Sequence, residues 1–452
     1  MKTKKYKTIC DGKSCSPHFC KYTKKCVPKK KYTLDTIPLP PSRSRASLPP
    51  VVQSTCPYVD DCLTLGTNLE DVHSFFNGLT TFHDVHGTAR RIKTRSGSGF
   101  IYEVPYLKNK KTTYAILKSS KKSTSDNLLY EFLIGYTYIN TLVDKFPCFI
   151  YTYGLYYYKH KKDWAHMIAA DEVSSSELQR MLVPQTSIHY ENACTQSKYL
   201  SILIQGLHYS EQISDKLTSQ RFLNENLAHV LFILYHTLST LSKSFTHYDL
   251  HVENVLLVRL PSNKCIRYVY HVHGSTVTFI CPYIPKIIDY GRCFFDNGTI
   301  HSKMIYDKLC DLPKCESCGK YAGFGLLNPK EFYTISSQKK NESHDLRLLQ
   351  SIHTEMEYSP RKSSQTLLKM SKLLKKVIYG KGIKGSYKSY GTLEQSKINP
   401  DGSSIGNVHD AYYQLLYLIS SPEVMEENRM YSNDVEGTLH VYDDRPMYYD
   451  KK

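Results

Sequence analysis

Two short apolar runs, each joined to an acidic residue, restrict the folds open to this chain more than any other feature. The first run, Val255-Leu256-Leu257-Val258, follows His247-Tyr248-Asp249-Leu250-His251-Val252-Glu253-Asn254, where a carboxamide trails a carboxylate by five positions. The second, residues 284–288, delivers Asp289 directly before Tyr290-Gly291. Runs of this length read as buried strands. The fold must therefore present Asp249, Asn254 and Asp289 at strand ends. Asp and Asn also cap turns without further purpose, but here the spacing, the strand that follows and the second strand-end aspartate coincide. Such a trio suits phosphoryl transfer to a hydroxyl. One carboxylate takes the hydroxyl proton, and the other two side chains hold the magnesium ion that neutralises the phosphates.

Upstream, Ser96-Gly97-Ser98-Gly99-Phe100-Ile101-Tyr102-Glu103-Val104 carries two glycines whose bare backbone lets N–H groups approach phosphate oxygens. A lone Gly-Ser-Gly is a common turn. Further on, Tyr114-Ala115-Ile116-Leu117-Lys118 is an apolar strand ending in lysine, and Glu131 lies alone among the leucines of residues 127–134. A strand-end lysine is ordinarily solvated and a helix glutamate ordinarily exposed. Their order after the glycines gives both a second reading, as a phosphate-bridging lysine and its partner.

Taken together, these segments resemble the nucleotide loop, strand lysine, catalytic loop and metal-binding turn of the protein kinase superfamily. The resemblance covers roughly residues 85–350. It implies an α+β, two-lobed kinase-like fold with an antiparallel-sheet N-lobe, a mainly helical C-lobe and ATP between them. It also implies roles: Asp249, Lys118 and Glu131 catalytic; Gly97, Ser98, Gly99, Val104, Lys118 and His251 at the nucleotide; Asn254 and Asp289 on Mg²⁺. Residues 205–208 would form the adenine hinge, and Asp345 would anchor the catalytic-loop backbone. The departures are Tyr102 in place of a third glycine, Tyr248 in place of the arginine before the catalytic aspartate, and His251 in place of a lysine. The form D-L-H-x-x-N also occurs in aminoglycoside and choline kinases, so a small-molecule acceptor is the alternative to a protein serine or threonine. A kinase-shaped scaffold without catalysis is a third reading.

The sequence has 452 residues and a formal charge of +17. Residues 1–55 hold thirteen Lys/Arg against Asp11 and Asp35, so +11 of that charge lies in this stretch. A basic tail of this kind suits an anionic partner or plain solubility. Residues 1–31 contain Cys10, Cys15, Cys20 and Cys26, and 20–27 resembles a short two-cysteine adaptor segment on proteins of large cytoplasmic DNA viruses. Residues 32–58 are rich in proline and serine and read as a linker kept out of sheets and helices. The remaining expected divisions are an N-lobe over 59–210, a C-lobe over 211–432 and a polar tail over 433–452. Cys310, Cys315 and Cys318 supply three thiols to a candidate structural Zn²⁺, with Cys293 or His301 as a fourth ligand. No apolar run is long enough to span a membrane, and the lysine-rich start has no signal core. These features place the protein inside cells, in host cytoplasm or virion if it is viral. Residues 221–243 read as one long helix, and 266–272 with 276–280 as a hairpin turning at His273-Gly274-Ser275.

Overall fold

The structure is a computed structural model. It describes residues 36–38, 79, 81–92, 99–108, 111–121, 126–185, 187–189, 199–207, 210–260, 264–309, 323–325, 332–334, 337, 339–357, 364–378, 402–430 and 434–451. Gly97, Ser98, the N-terminal cysteines and Cys310, Cys315 and Cys318 lie outside these residues, as do His208 and the proposed end of the activation segment at 328–331.

The described residues form a mixed α+β structure whose largest sheet has seven strands. Their spatial order is Glu172–Ser174, Thr88–Ile92, Gly99–Lys108, Lys111–Ser120, Leu200–Gln205, Thr152–Tyr158 and Leu182–Pro184, every neighbour antiparallel. Alternation along the second and third of the long strands decides what faces where. Phe100, Tyr102, Val104 and Tyr106 are buried on one face with Ala115 and Leu117, whereas Ile101, Glu103, Ile116 and Lys118 are half-open on the other. The buried face packs beneath the insertion that follows Tyr158. There, helices Lys161–Ala169 and Ser175–Met181 contribute Met167, Leu178 and Met181 to one apolar cluster with Tyr102, Val104 and Tyr106. Tyr102 donates its hydroxyl to the carbonyls of Met167 (2.7 Å) and Ala170, tying sheet to insertion.

The opposite face receives helix Asp126–Thr137, which contacts strands Thr152–Tyr158 and Leu200–Gln205. Leu128, Leu129, Tyr130, Phe132, Leu133 and Ile134 are all buried, so the helix is apolar around its circumference. Below it runs helix Leu227–Thr240, buried at every position from Leu227 to Ser239. The single helix expected over 221–243 is broken at Asn226, whose φ of −127° ends the preceding helix Gln220–Glu225. Strands Val255–Arg259 and Tyr283–Ile287 pair antiparallel, with Ser210–Gln212 on the outer edge of the first.

Two further readings are corrected. Residues expected as a polar tail form strands Asp434–Tyr442 and Tyr448–Lys451. The first pairs in parallel with strand Lys264–Val272, whose antiparallel partner Ser275–Cys281 completes a four-stranded sheet. The alternation Val435, Leu439, Val441 supplies its apolar side, with Leu439 and Val441 buried. The hairpin turns at His273 and Gly274, both at positive φ (50° and 72°), as its tight connection requires. Within the proline-rich segment, Thr36–Pro38 is a strand paired with Ser187–His189, so the linker does enter a sheet. Proline is tolerated there because the pair is two-stranded and leaves edge positions with no ladder bond to make.

Candidate active site

Lys118 lies near the end of strand Lys111–Ser120 on its half-open face, and Glu131 rises toward it from the buried helix. Lys118 Nζ donates to Glu131 Oε1 and Oε2 at 2.9 and 2.7 Å and to Asp289 Oδ1 at 3.1 Å. Glu131 is 4% exposed, and a carboxylate that deep persists only with a cation against it. Burial alone would lower the Lys118 ammonium, but Asp289 and Glu131 outweigh it and hold the lysine above its ordinary range. Burial would raise Asp289, yet Lys118 keeps that carboxyl below the usual aspartate range. Asp289 has φ +69°, a left-handed backbone that costs an ordinary residue free energy and that turns its carboxylate back toward the lysine.

Residues 247–249 are fixed by a separate set of bonds. Asp345 is 2% exposed, and its two carboxylate oxygens accept the backbone N–H groups of His247 (2.7 Å) and Tyr248 (3.0 Å). Burial pushes its carboxyl up to about 7 even though both backbone bonds pull the other way. Tyr248, at φ +63°, is fully buried, packs its ring at a tilt against His344 and donates to Lys339 O. It fills with an aromatic ring the place where an arginine was expected to be missing. His247 links the loop to the Asp289 strand: Nε2 bonds Ile288 O at 3.0 Å and Nδ1 accepts from Asp249 N at 3.3 Å. Burial lowers this imidazole to about 4, so it is neutral with its proton on Nε2.

Asn254 donates Nδ2 to Asp249 O at 2.9 Å, which leaves Oδ1 as the acceptor of that amide. Two oxygens, Asn254 Oδ1 and an Asp289 carboxylate oxygen, are what Mg²⁺ takes from a protein when phosphates and water complete its shell. That donor set fits magnesium. His251 stands with Nε2 3.9 Å from Asp249 Oδ1, and burial lowers its pKa, which favours the neutral ring beside that carboxylate.

Asp249 itself is held by two arginines that the sequence reading passed over. Arg347 Nη1 donates to Oδ1 at 2.6 Å, and Arg292 Nε lies 3.5 Å from Oδ2. Arg292 follows Gly291 directly and Arg347 follows Asp345 by two, so proximity to the motifs was the available signal. Tyr290 also shows its purpose: the buried hydroxyl donates to Ile287 O and accepts from Ile150 N, holding the turn after Asp289.

Val104 does not join the site. Strand parity sets it against Ala115 on the buried face, whereas Lys118 pairs with Ile101 on the other. The residues on the lysine's side of these two strands include Ile101, Glu103 and Ile116. Gly99 opens its strand opposite Ser120, and a Cβ there would meet Ser119 O at 3.0 Å. At the far end, Gly206 N donates to Tyr114 O, continuing the sheet into the segment expected as the hinge. Cys293 is buried, and burial drives its thiol well above the ordinary range. Among the described residues no cluster of three or more His, Cys, Asp or Glu is placed to hold a metal. No described helix is long and apolar enough to cross a membrane.

No protein-family model matches the chain, and no curated protein matches it. Among solved structures, 313 chains match. One, a crystal structure described as a kinase domain, is 17% identical with a TM-score of 0.25, over 47% of this chain and 53% of that one. The chain thus spans about half the length of that neighbour.

Proposed function

We propose that this protein is an ATP-dependent phosphotransferase that moves the γ-phosphoryl group of Mg-ATP to serine or threonine hydroxyls of proteins. The observation that carries this reading is the ion cluster of Lys118 with Glu131 and Asp289, residues of a strand, a helix and a turn, the last standing 171 positions from the lysine. Lys118, oriented by Glu131, would bind nucleotide phosphates as a point charge. Asn254 and Asp289 would hold magnesium, which neutralises charge on the phosphates. Asp249 would accept the acceptor's proton as the hydroxyl oxygen bonds to the γ-phosphorus. The bond from that phosphorus to the bridging oxygen breaks, and ADP leaves. Asp345 and His247 act on none of these atoms; they position the loop that carries Asp249.

The test is incubation of the protein with labelled ATP, magnesium and mixed protein acceptors, beside Asp249→Ala. Label on protein that is lost in the variant supports the reading. Label on an amino alcohol or sugar instead selects a small-molecule kinase, which the neutral His251 beside Asp249 would accommodate. No transfer and no ATP turnover overturns the phosphotransferase reading.

A further inference from the structure

We infer that a second site, a cavity at the far ends of the strands adjoining Asn254 and Asp289, binds a phosphate monoester. The cavity measures about 300 Å³, and its lining includes Lys216, Arg221, Asn226, Arg259, Lys264 and Tyr283. None of Lys118, Glu131, Asp249, Asn254 and Asp289 lines it, so it stands apart from the phosphotransferase site. Strand Val255–Arg259 starts just after Asn254 and ends in the cavity wall at Arg259. At about 3.3 Å per residue, the strand carries Arg259 about 16 Å from Asn254. Tyr283 opens the neighbouring strand and lies directly across from Arg259. Cross-strand neighbours of this kind share one face of a sheet.

The wall offers donors that nothing receives. Tyr283 is 6% exposed, and among the described residues its hydroxyl has no hydrogen-bond partner. The charges it feels include Arg259 and Arg221, which line the cavity with it, and Glu211. Asn226 is 7% exposed. Its Oδ1 lies 3.9 Å from Cys281 Sγ, and among the described residues no acceptor takes its Nδ2 hydrogens. Three of the lining cations are matched: Lys216 by Glu211 at 2.6 Å, Arg221 by Glu225 at 2.9 Å and Lys264 by Glu436 at 3.3 Å. Arg259 is exposed, and no carboxylate among the described residues pairs with it. Water would satisfy a hydroxyl or an amide in a space of this size, but it leaves the charge of Arg259 unanswered. A phosphate monoester answers both, with three acceptor oxygens and a charge of about −1.5 to −2. Guanidinium takes its oxygens through paired N–H groups. A carboxylate brings two oxygens and one charge, so it cannot give Arg259, Tyr283 and Asn226 an oxygen each. The group arrives either on a free small molecule or on a phosphorylated side chain.

The experiment is calorimetric titration of the full chain, without ATP or magnesium. The probes are O-phosphoserine, a short peptide with one phosphoserine, and the same peptide with glutamate at that position. Both phosphorylated probes should bind saturably. Affinity should fall about tenfold or more in Arg259→Gln, which removes a charged hydrogen bond, and about fivefold in Tyr283→Phe, which removes a neutral one. Tyr283→Phe keeps the ring against Phe222 and gives up no hydrogen bond to a described residue, so its thermal stability should match wild type. Tighter binding of the phosphopeptide than of O-phosphoserine makes a phosphorylated chain the source of the group; equal binding makes it a free monoester. Phosphate held at Lys118 instead would be weakened by neither variant, so an affinity unchanged in both overturns the inference and leaves the phosphotransferase reading intact. Equal affinity for the glutamate peptide also overturns it, as does the absence of saturation up to about 10 mM, where the binding free energy is under that of a 1 mM ligand.

Discussion

Replacing Lys286 with methionine should make the protein more stable at neutral pH, and the surroundings of the lysine set the size of the gain. Lys286 lies in strand Tyr283–Ile287, three residues before Asp289, and is 2% exposed. Its ammonium donates to Phe149 O at 2.9 Å, and among the described residues no carboxylate pairs with it. Burial lowers its pKa from 10.5 to about 8. Below pH 8 the folded protein must therefore keep a buried, unpaired charge, at a cost of about 3 kcal/mol, given about 1.4 kcal/mol per factor of ten. The sign follows from proton counting. Between about 8 and 10.5 the unfolded lysine binds a proton that the folded one has lost, so stability rises with pH across that window. Methionine fills similar volume without the charge but abandons the Phe149 carbonyl, a loss of about 1–3 kcal/mol. The net gain at pH 7 is then about 0–2 kcal/mol. More telling is the stability of Lys286→Met relative to wild type, which should fall by about 3 kcal/mol as pH rises from 7 to 10.5, leaving the variant the less stable of the two at the upper end. Urea denaturation of both proteins at several pH values across that window measures it directly. A difference that stays constant with pH would refute the reasoning, because it would mean that Lys286 titrates alike in folded and unfolded chains.

Two other substitutions probe the supports of the site. Asp345→Ala leaves the amides of His247 and Tyr248 without their buried acceptor. Hydrogen exchange at those amides should quicken by an amount equal to about 1–3 kcal/mol per unpaired donor, and kcat should fall more than the KM for ATP rises. Gly206→Ala puts a Cβ 2.7 Å from the backbone carbon and oxygen of Tyr114, atoms that cannot turn aside as a side chain would. The expected cost is about 1–3 kcal/mol in a denaturant titration. It comes with weakened nucleotide binding, because Gly206 bonds the strand that carries Lys118.

What could be read from the sequence was whatever chemistry makes conspicuous. Glu131 was legible because one acid among buried leucines has to find a cation, and Lys118 because a charge ends an apolar strand. The face of Val104 was misjudged because counting from the glycines gives position along a strand and not the side to which it points. The alternation Phe100, Tyr102, Val104, Tyr106 already held that answer, since four apolar residues at period two belong to one buried face. Arg347 had only its nearness to Asp345 as a signal. It meets Asp249 across 98 residues, and an arginine opening a polar helix looks like any solvated one. The pairing of Lys264–Val272 with Asp434–Tyr442 was hidden for the same reason, as parallel register between distant segments leaves no local pattern.

The insertion after Tyr158 changes what the motifs mean physically. In the fold it covers the face opposite Lys118: Trp164 donates to Ser120 O at 3.0 Å, and Ser119, next to the lysine, shares hydrogen bonds with Tyr158 and Ser201. The lysine strand is thus packed on one face by this layer and bonded on both edges, to Gly99–Lys108 and to Leu200–Gln205. Lys118 is consequently fixed from behind by apolar packing as well as from in front by Glu131. A charge held in that way changes its partner by moving its tip alone, which is the motion that exchanging Asp289 for a phosphate would require.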